Sequence, residues 1–355
     1  MVLKSDRQQG SRVREAEVPR HVVVALILSA ISGTTVVAQT VDVRIDAAEA
    51  NAVLSILDKR AAGIQPTPGD WARLWSSDGY TRLARRETGM GRTFTDSAFR
   101  AFVMSAELLN QRTALARTLQ DWETADPAAA AARALRYLPG GARIRATIYP
   151  VIKPQDNSFV FEVTTNPAIF MYIDPTWPAT RFENTLAHEL HHIGYGTACA
   201  AESAADSPRA LALRWLGAFG EGMAMLAAAG SAETHPHATS PAEDRARWDR
   251  DMDNAAADLP QLEQFFLEIL DGKLSGDAVT QRGMTFFGVQ GPWYTVGWRM
   301  AAVIERAFGR PRLISVMCDP VALLATYNEA ATVLNTRGER QPRWTSSFLE
   351  RLARR

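Results

Sequence analysis

The sequence predicts an α+β protein, mostly α, on three observations. Apolar residues recur at helical spacing along most of the chain beyond residue 39. In one stretch, residues 143–173, the period shortens to two and three β-type runs follow one another. Helical patterns stand on both sides of it, which places a small sheet inside an otherwise helical protein. The length of 355 residues suits two packed subdomains sharing a core, and 46% hydrophobic with 22% charged residues is globular composition. Wholesale disorder and collagen-like or coiled-coil chains are thereby excluded. The 39 Lys and Arg balance 39 Asp and Glu, a formal net charge of +0. No electrostatic case follows for a nucleic-acid partner or an anionic membrane surface. Two cysteines exclude a disulfide-built scaffold and a cysteine-ligated zinc cluster.

Residues 1–38 read as a signal peptide. Lys4, Arg7, Arg12, Arg14 and Arg20, with Asp6, Glu15 and Glu17, precede an apolar heart from Val22 to Leu28. Val36-Val37-Ala38 before Gln39 is a small-residue cleavage pattern. Ser29, Ser32, Gly33, Thr34 and Thr35 dilute the run below the ~20 apolar residues of a stable span. The expectation is cleavage after Ala38, no stable membrane insertion afterwards, and export to a periplasmic or extracellular space. The charged lead-in is long, so Val13 and Val18 are alternative starts. Export makes a Cys199–Cys318 bridge as good an expectation as two buried free thiols.

Residues 39–142 read as a helical subdomain. Ala47, Val53, Leu54, Ile56 and Leu57 lie near helical spacing, and Trp71, Leu74 and Trp75 form a short apolar face. Thr95 or Asp96 starts a helix carrying Phe99, Phe102, Val103, Ala106 and Leu109. Asp126-Pro127 starts another that Pro139-Gly140-Gly141 stops. Residues 143–230 form the core of interest. Strands are expected at 143–152 (Ile144, Ala146, Ile148), 158–163 and 168–173, with Pro154–Asn157 as a turn, then helices at 181–193 and 208–229. Residues 231–355 read as a C-terminal helical subdomain with helices at 241–257, 260–271, 292–308, 311–327 and 344–354. Ser231 to Pro241 is the clearest loop.

The chemistry is carried by His188-Glu189-Leu190-His191-His192. On a helix, residues four apart share a face, so His188 and His192 can hold one metal ion at about 2.0–2.1 Å, the zinc–nitrogen distance. Glu189, one step round, reaches a water on the metal without being a ligand. Zinc lowers the pKa of such a water to about 7, so Glu189 can take its proton as general base. Thr180 and Glu183 have the spacing of a capping box, and Gly194 is a natural helix stop. Three of the six histidines fall within this run. His191 is expected to be a packed histidine, since sharing the metal with His188 would idle His192.

A catalytic zinc needs a third protein ligand and an open position. His235 and His237 lie in a Pro-containing loop and read as surface residues. Glu221, alone on an apolar stretch and flanked by Gly217, Gly220 and Gly222, is the candidate. Glycine inside a helix costs about 0.5–1 kcal/mol relative to alanine, a cost that makes sense where two helix backbones pack closely. Glu202 and Asp206, in the connecting segment, are its competitors.

His188-Glu189-x-x-His192 followed by Gly-Glu221-Gly-x-Ala resembles the glutamate-ligated zincins, the gluzincin metallopeptidases. More narrowly it is similar to secreted bacterial proteins classed as zinc-dependent peptidases, most without a known substrate. A looser resemblance includes Tyr80-x-x-Leu83-x-x-Arg86-Glu87, Tyr294-x-x-Gly297 and Gly309. The resemblance implies a zincin-like core, one Zn2+, and a peptide or protein substrate aligned on an edge strand, for which Ala168 to Ile173 is the expectation. The separation from His192 to Glu221 exceeds that of the best-known aminopeptidases, and no amine-anchoring glutamate motif precedes the helix, so aminopeptidase activity is not implied. Zincins add a donor for the oxyanion. Tyr294, near the start of a helix, is the candidate, with Tyr195 a weaker rival. Asp174 and Asn184 are candidates for orienting a ligand histidine.

The expected function is metal-dependent peptide hydrolysis. The alternative is a catalytically inactive zinc-binding or interaction module of the same fold, and Glu189, which metal binding does not need, argues against it. Hydrolysis of another amide or an ester is a third reading.

Overall fold

A computed structural model describes residues 39–199 and 207–354. The signal segment, the alternative starts and the competitors Glu202 and Asp206 lie outside the described residues. Strand β1 (Thr40–Ile45) precedes six helices, α1 (Ala48–Ala61), α2 (Pro68–Trp75), α3 (Asp78–Gly89), α4 (Asp96–Val103), α5 (Ala106–Glu123) and α6 (Pro127–Leu135). Strands β2 (Arg143–Val151), β3 (Phe159–Phe161) and β4 (Ala168–Tyr172) lead into α7 (Ala179–Ala198). Then come α8 (Pro208–Leu216), a 3-10 turn (Gly217–Phe219), α9 (Gly220–Ala229), α10 (Ala242–Leu270) and α11 (Asp277–Thr285). The chain closes with α12 (Pro292–Phe308), α13 (Arg310–Val316), α14 (Pro320–Thr336) and α15 (Ser346–Ala353). The protein is thus mostly helical with one small mixed sheet. No helix among the described residues is long and apolar enough to cross a membrane.

The sheet has the order β1-β2-β4-β3. The first two pairings are parallel and β3 runs antiparallel to β4. Two expectations change here. Thr40–Ile45 was read with the helices, but Val41, Val43 and Ile45 alternate with polar residues, and the segment pairs with β2 from Thr40 opposite Arg143. Ala168–Ile173 was expected at the edge, but β4 is bonded on both sides, and the edges are β1 and β3. Parallel central strands need cover on both faces. Ile144, Ala146 and Ile148 turn to one face, where Gly194 of α7 meets Ile144. Tyr149 turns to the other, against Gly79 of α3.

That contact gives Gly194 its reason. The helix does not stop there but runs on to Ala198. A Cβ at 194 would lie 2.2 Å from Leu138 Cδ1 and 3.1 Å from Ile144 Cγ1, so the missing side chain lets α7 settle on the sheet. The expected capping box is also absent: α7 starts after Pro178 with no side-chain cap. Other caps follow the sequence, with Thr95 accepting from Ala98 N and Ser207 from Ala210 N ahead of Pro208.

The expected helix 208–229 is broken by the 3-10 turn at Gly217–Phe219. The two expected helices at 241–257 and 260–271 are one, α10, with Pro260 inside it. A proline interior to a helix removes a hydrogen bond, but Leu259, Leu262, Phe265 and Phe266 around it are buried and hold the helix through. The expected 311–327 divides into α13 and α14, with Asp319 capping the second ahead of Pro320.

Candidate metal centre

Helix α7 carries His188, Glu189 and His192, and α9 supplies Glu221. Their positions depend on one helix crossing. A Cβ on Gly222 would lie 1.9 Å from Trp298 N and 2.3 Å from Gly297 C, and one on Gly297 would lie 2.6 Å from Phe219 O. Helices α9 and α12 therefore touch backbone to backbone, and Glu221, next in the chain to that contact, is held on the α7 side.

Three side-chain atoms converge. His188 Nε2 lies 3.2 Å from Glu221 Oε2 and 3.1 Å from His192 Nε2, and His192 Nε2 lies 3.3 Å from the same carboxylate oxygen. Ligands about 2.0–2.1 Å from a tetrahedral zinc stand about 3.3 Å apart, so the triangle fits such an ion. Two neutral imidazoles and a carboxylate are also its usual donor set. Glu189 lines the adjoining cleft and stands outside the donor cluster.

The electrostatics favour a cation at this point. Burial alone would raise the Glu221 carboxyl, but His192 and His188 outweigh it and hold the carboxyl well below its ordinary range. Burial pushes His192 down, but the Glu221 carboxylate outweighs it and raises the imidazole to about 9. Burial raises Glu189, opposed in part by His188 and His192, so its carboxylate is more basic than a free glutamate's.

Tyr294, in the first turns of α12, stacks on His188 with ring centroids 6.4 Å apart. Burial and then the charge of Glu221 raise its phenol. Tyr195, the rival, donates instead to Met317 O at 3.1 Å. Asp174 accepts from Thr176 N and Oγ1, and Asn184 donates to Pro236 O, so neither orients a ligand histidine. His188 Nδ1 is buried without a hydrogen-bond partner. His191 is fully buried, and burial pushes its imidazole down to about 3, so it is a neutral packed residue.

A cleft of about 220 Å³ opens beside His188, Glu189 and Tyr294. Its walls include Trp177, Arg181, Met225, His237 and Gln290, none of them anticipated as site residues. Arg181 and Thr185 stand seven and three residues before His188 on α7, a spacing that puts them on its face and was readable. His237 corrects an expectation. It was read as a surface residue, but it is 6% exposed, with Trp248 packed 5.5 Å from its ring. His235, half-buried, pairs with Asp249 at 3.0 Å and holds His237 N through its Nδ1. The more distant sequence signals are structural. Tyr80 donates to Asp96 at 2.7 Å, and the buried Glu87 pairs with Arg86 and Arg92.

Residues 71–336 match a family model described as "Putative zinc dependent peptidase (DUF5700)", well over half of the chain. The protein belongs to this family, whose description points to peptide hydrolysis with zinc. No curated protein and no solved structure matches it.

Proposed function

We propose that this protein is an exported peptidase of the glutamate-ligated zincin type. In this reading His188, His192 and Glu221 hold one zinc ion, and Glu189 is the general base. When bound, the ion supplies Lewis acidity, lowering the pKa of water and polarising the scissile carbonyl. Glu189 takes a proton from the attacking water and delivers it to the departing amine, a task its raised basicity suits. Tyr294 stays protonated and donates to the oxyanion as the carbonyl carbon becomes tetrahedral. The edge strand β3, which follows the cleft residue Ser158, is the proposed rail for an extended substrate.

The observation that carries the reading is the triangle of donor atoms 3.1–3.3 Å on a side, with Glu189 one residue from His188 on the same helix. Export is supported by the signal-like segment and by a Cys199–Cys318 disulfide, a bond characteristic of oxidising compartments.

The test is metal analysis of wild type, His188→Ala, Glu221→Ala and Glu189→Gln, beside cleavage of a random peptide library read by mass spectrometry. One zinc per chain is expected in wild type and Glu189→Gln, with loss in the other two. Cleavage by Glu189→Gln is expected to fall on the order of 10³-fold. Undiminished turnover in that variant sinks the mechanism. Stoichiometric zinc with no cleavage by wild type points to the inactive module instead.

A further inference from the structure

Helix α7 sets a row of side chains along the cleft. Arg181, Thr185 and His188 follow one another at spacings of four and three, so they share one helix face, and all three line the cleft. At 1.5 Å per residue, Arg181 stands about 10 Å along the axis from His188. An extended peptide advances about 3.3–3.6 Å per residue, so a group held by Arg181 lies roughly two to four residues from the bond at the candidate metal centre.

Arg181 is the only Lys or Arg among the described residues of the cleft wall, and 19% of its side chain is exposed. Its guanidinium carbon lies 4.1 Å from the centroid of the Trp177 ring, which is also in the wall. A guanidinium on an aromatic face keeps its N–H groups at the rim, where they can meet a carboxylate as a fork. Its described ion pair engages Nη2, which lies 3.0 Å from Asp244 Oδ2. Arg247, outside the cleft wall, places its own Nη2 2.8 Å from Asp244 Oδ1. Two cations thus divide one anion, and positive charge is left over where Arg181 faces the cleft. The rest of the wall does not cancel it. The loop bearing His237 and Ser240 is tied to α10 by Arg245, which donates to Ala238 O at 2.9 Å. Burial pushes the His237 imidazole down to about 4, so that ring is neutral at physiological pH. Glu189, the one carboxylate in the wall, stands beside His188. Helix α7 also opens with no acidic residue in its first turn, so the positive end of its dipole adds to the same potential.

We propose that Arg181 is the specificity-determining residue of the cleft and binds a carboxylate of the substrate roughly two to four residues from the scissile bond. The inference deepens the peptidase reading and rests on it for the identity of the substrate. The carboxylate is that of an Asp or Glu side chain or of the peptide's C-terminus, which present the same fork to a guanidinium.

The first arm of the test reads binding without turnover. Random peptides retained by zinc-loaded Glu189→Gln protein are identified by mass spectrometry, from one library with free C-termini and one with amidated C-termini. Peptides with a carboxylate should be enriched about tenfold over their amide counterparts. Loss of retention on amidation assigns the C-terminus; enrichment of Asp and Glu at one position in both libraries assigns a side chain. Adding Arg181→Gln should abolish the enrichment, and adding Arg181→Glu should turn it towards Lys and Arg, a reversal that a packing role for the arginine would not produce. Thermal melting and zinc content check the folding of both variants. No enrichment by the protein that keeps Arg181 overturns the site, and so does an enrichment that survives both substitutions. The second arm maps cleavage of the same libraries by wild type. The cut should fall at one fixed distance from the carboxylate, within the range given by the helix. Cleavage blind to carboxylates overturns the site and leaves the peptidase reading. Enriched retention without any cleavage leaves the site standing and removes the peptidase reading.

Discussion

Tyr294 meets the proposed centre in two ways, by its ring stacked on His188 and by the Glu221 charge felt at its hydroxyl. Only the second is chemical, and Tyr294→Phe separates them by keeping the ring. Zinc content should stay at one per chain, KM should hold, and kcat should fall about 10²–10³-fold, the usual loss for one oxyanion donor. Steady-state kinetics beside metal analysis checks this; unchanged kcat would return Tyr294 to a packing role. Glu49 gives a second residue-level prediction, away from the centre. It is 1% exposed, and burial raises its carboxyl from 4.5 to about 8, against the Ile152 N–H bond and the charge of Lys153. Between those values the folded protein keeps a proton that the unfolded chain releases, so stability falls as pH rises through the window. Glu49→Gln retains an oxygen for Ile152 N and has nothing to ionise. From pH 5 to 8 the wild-type melting temperature should drop further than the variant's, by at least about 2–4 °C, the effect of ~1 kcal/mol in a chain of this size. Calorimetry of both proteins at the two pH values decides it. At this scale the sequence was legible where chemistry depends on local spacing. His188, Glu189 and His192 are set by one turn of helix, and Glu221 is marked by the glycines around it. His237 was misread because its burial comes from Trp248 and the Arg245 tie, contacts that no local pattern announces.

Helix α9 carries the candidate ligand Glu221 on a surface made almost bare so that α12 can reach it. Gly222 and Gly220 look alike in sequence but differ in structure. A methyl at 222 would run into the backbone of Gly297 and Trp298, while one at 220 meets nothing within 4 Å. Gly222→Ala should therefore part the two helices, cost about 2–3 kcal/mol and weaken zinc on the order of tenfold by shifting Glu221. Gly220→Ala should be neutral or gain about 0.5–1 kcal/mol from the reduced freedom of the unfolded chain. Denaturant melts and zinc titrations on the two variants form a matched comparison, and equal effects would contradict the crossing. The sequence implied close helix packing near Glu221 but could not name the partner, because α12 lies some seventy residues on and the contact is backbone to backbone. For the same reason β1 was missed: six residues of alternation mean little until β2 lies alongside. Element type was legible where a period ran long, as in α12. Ends and breaks were less so, since Gly194 serves contact and not termination, and Pro260 is carried by the core around it.

Across the whole molecule, α7 is the member that joins sheet, candidate metal centre and C-terminal helices. Its later turns rest on β2 through Gly194, its cleft face carries the candidate donors, and its end is fastened twice. Tyr195 donates to Met317 O at 3.1 Å, and Cys199, just past the helix, is bonded to Cys318 in the turn between α13 and α14. The disulfide spans 119 residues of sequence. Closing a loop of that order removes denatured-state entropy worth about 4–5 kcal/mol in the chain-entropy view, and measured losses on removing native bridges run about 2–5 kcal/mol. The bond therefore bears on the stability of the whole chain more than on the chemistry. The candidate ligand nearest to it in sequence, His192, lies two turns away, inside packing supplied by the sheet and α9. Replacing both cysteines with serine should lower the urea midpoint by an amount equivalent to about 2–5 kcal/mol, with zinc stoichiometry and KM unchanged. Reductant should lower the wild-type midpoint to the variant's value and leave the variant unmoved. Coinciding midpoints for oxidised wild type and variant would mean that the bridge constrains nothing. Loss of zinc along with the bridge would show that the grip on the end of α7 reaches His188 and His192, making the disulfide part of what holds the metal.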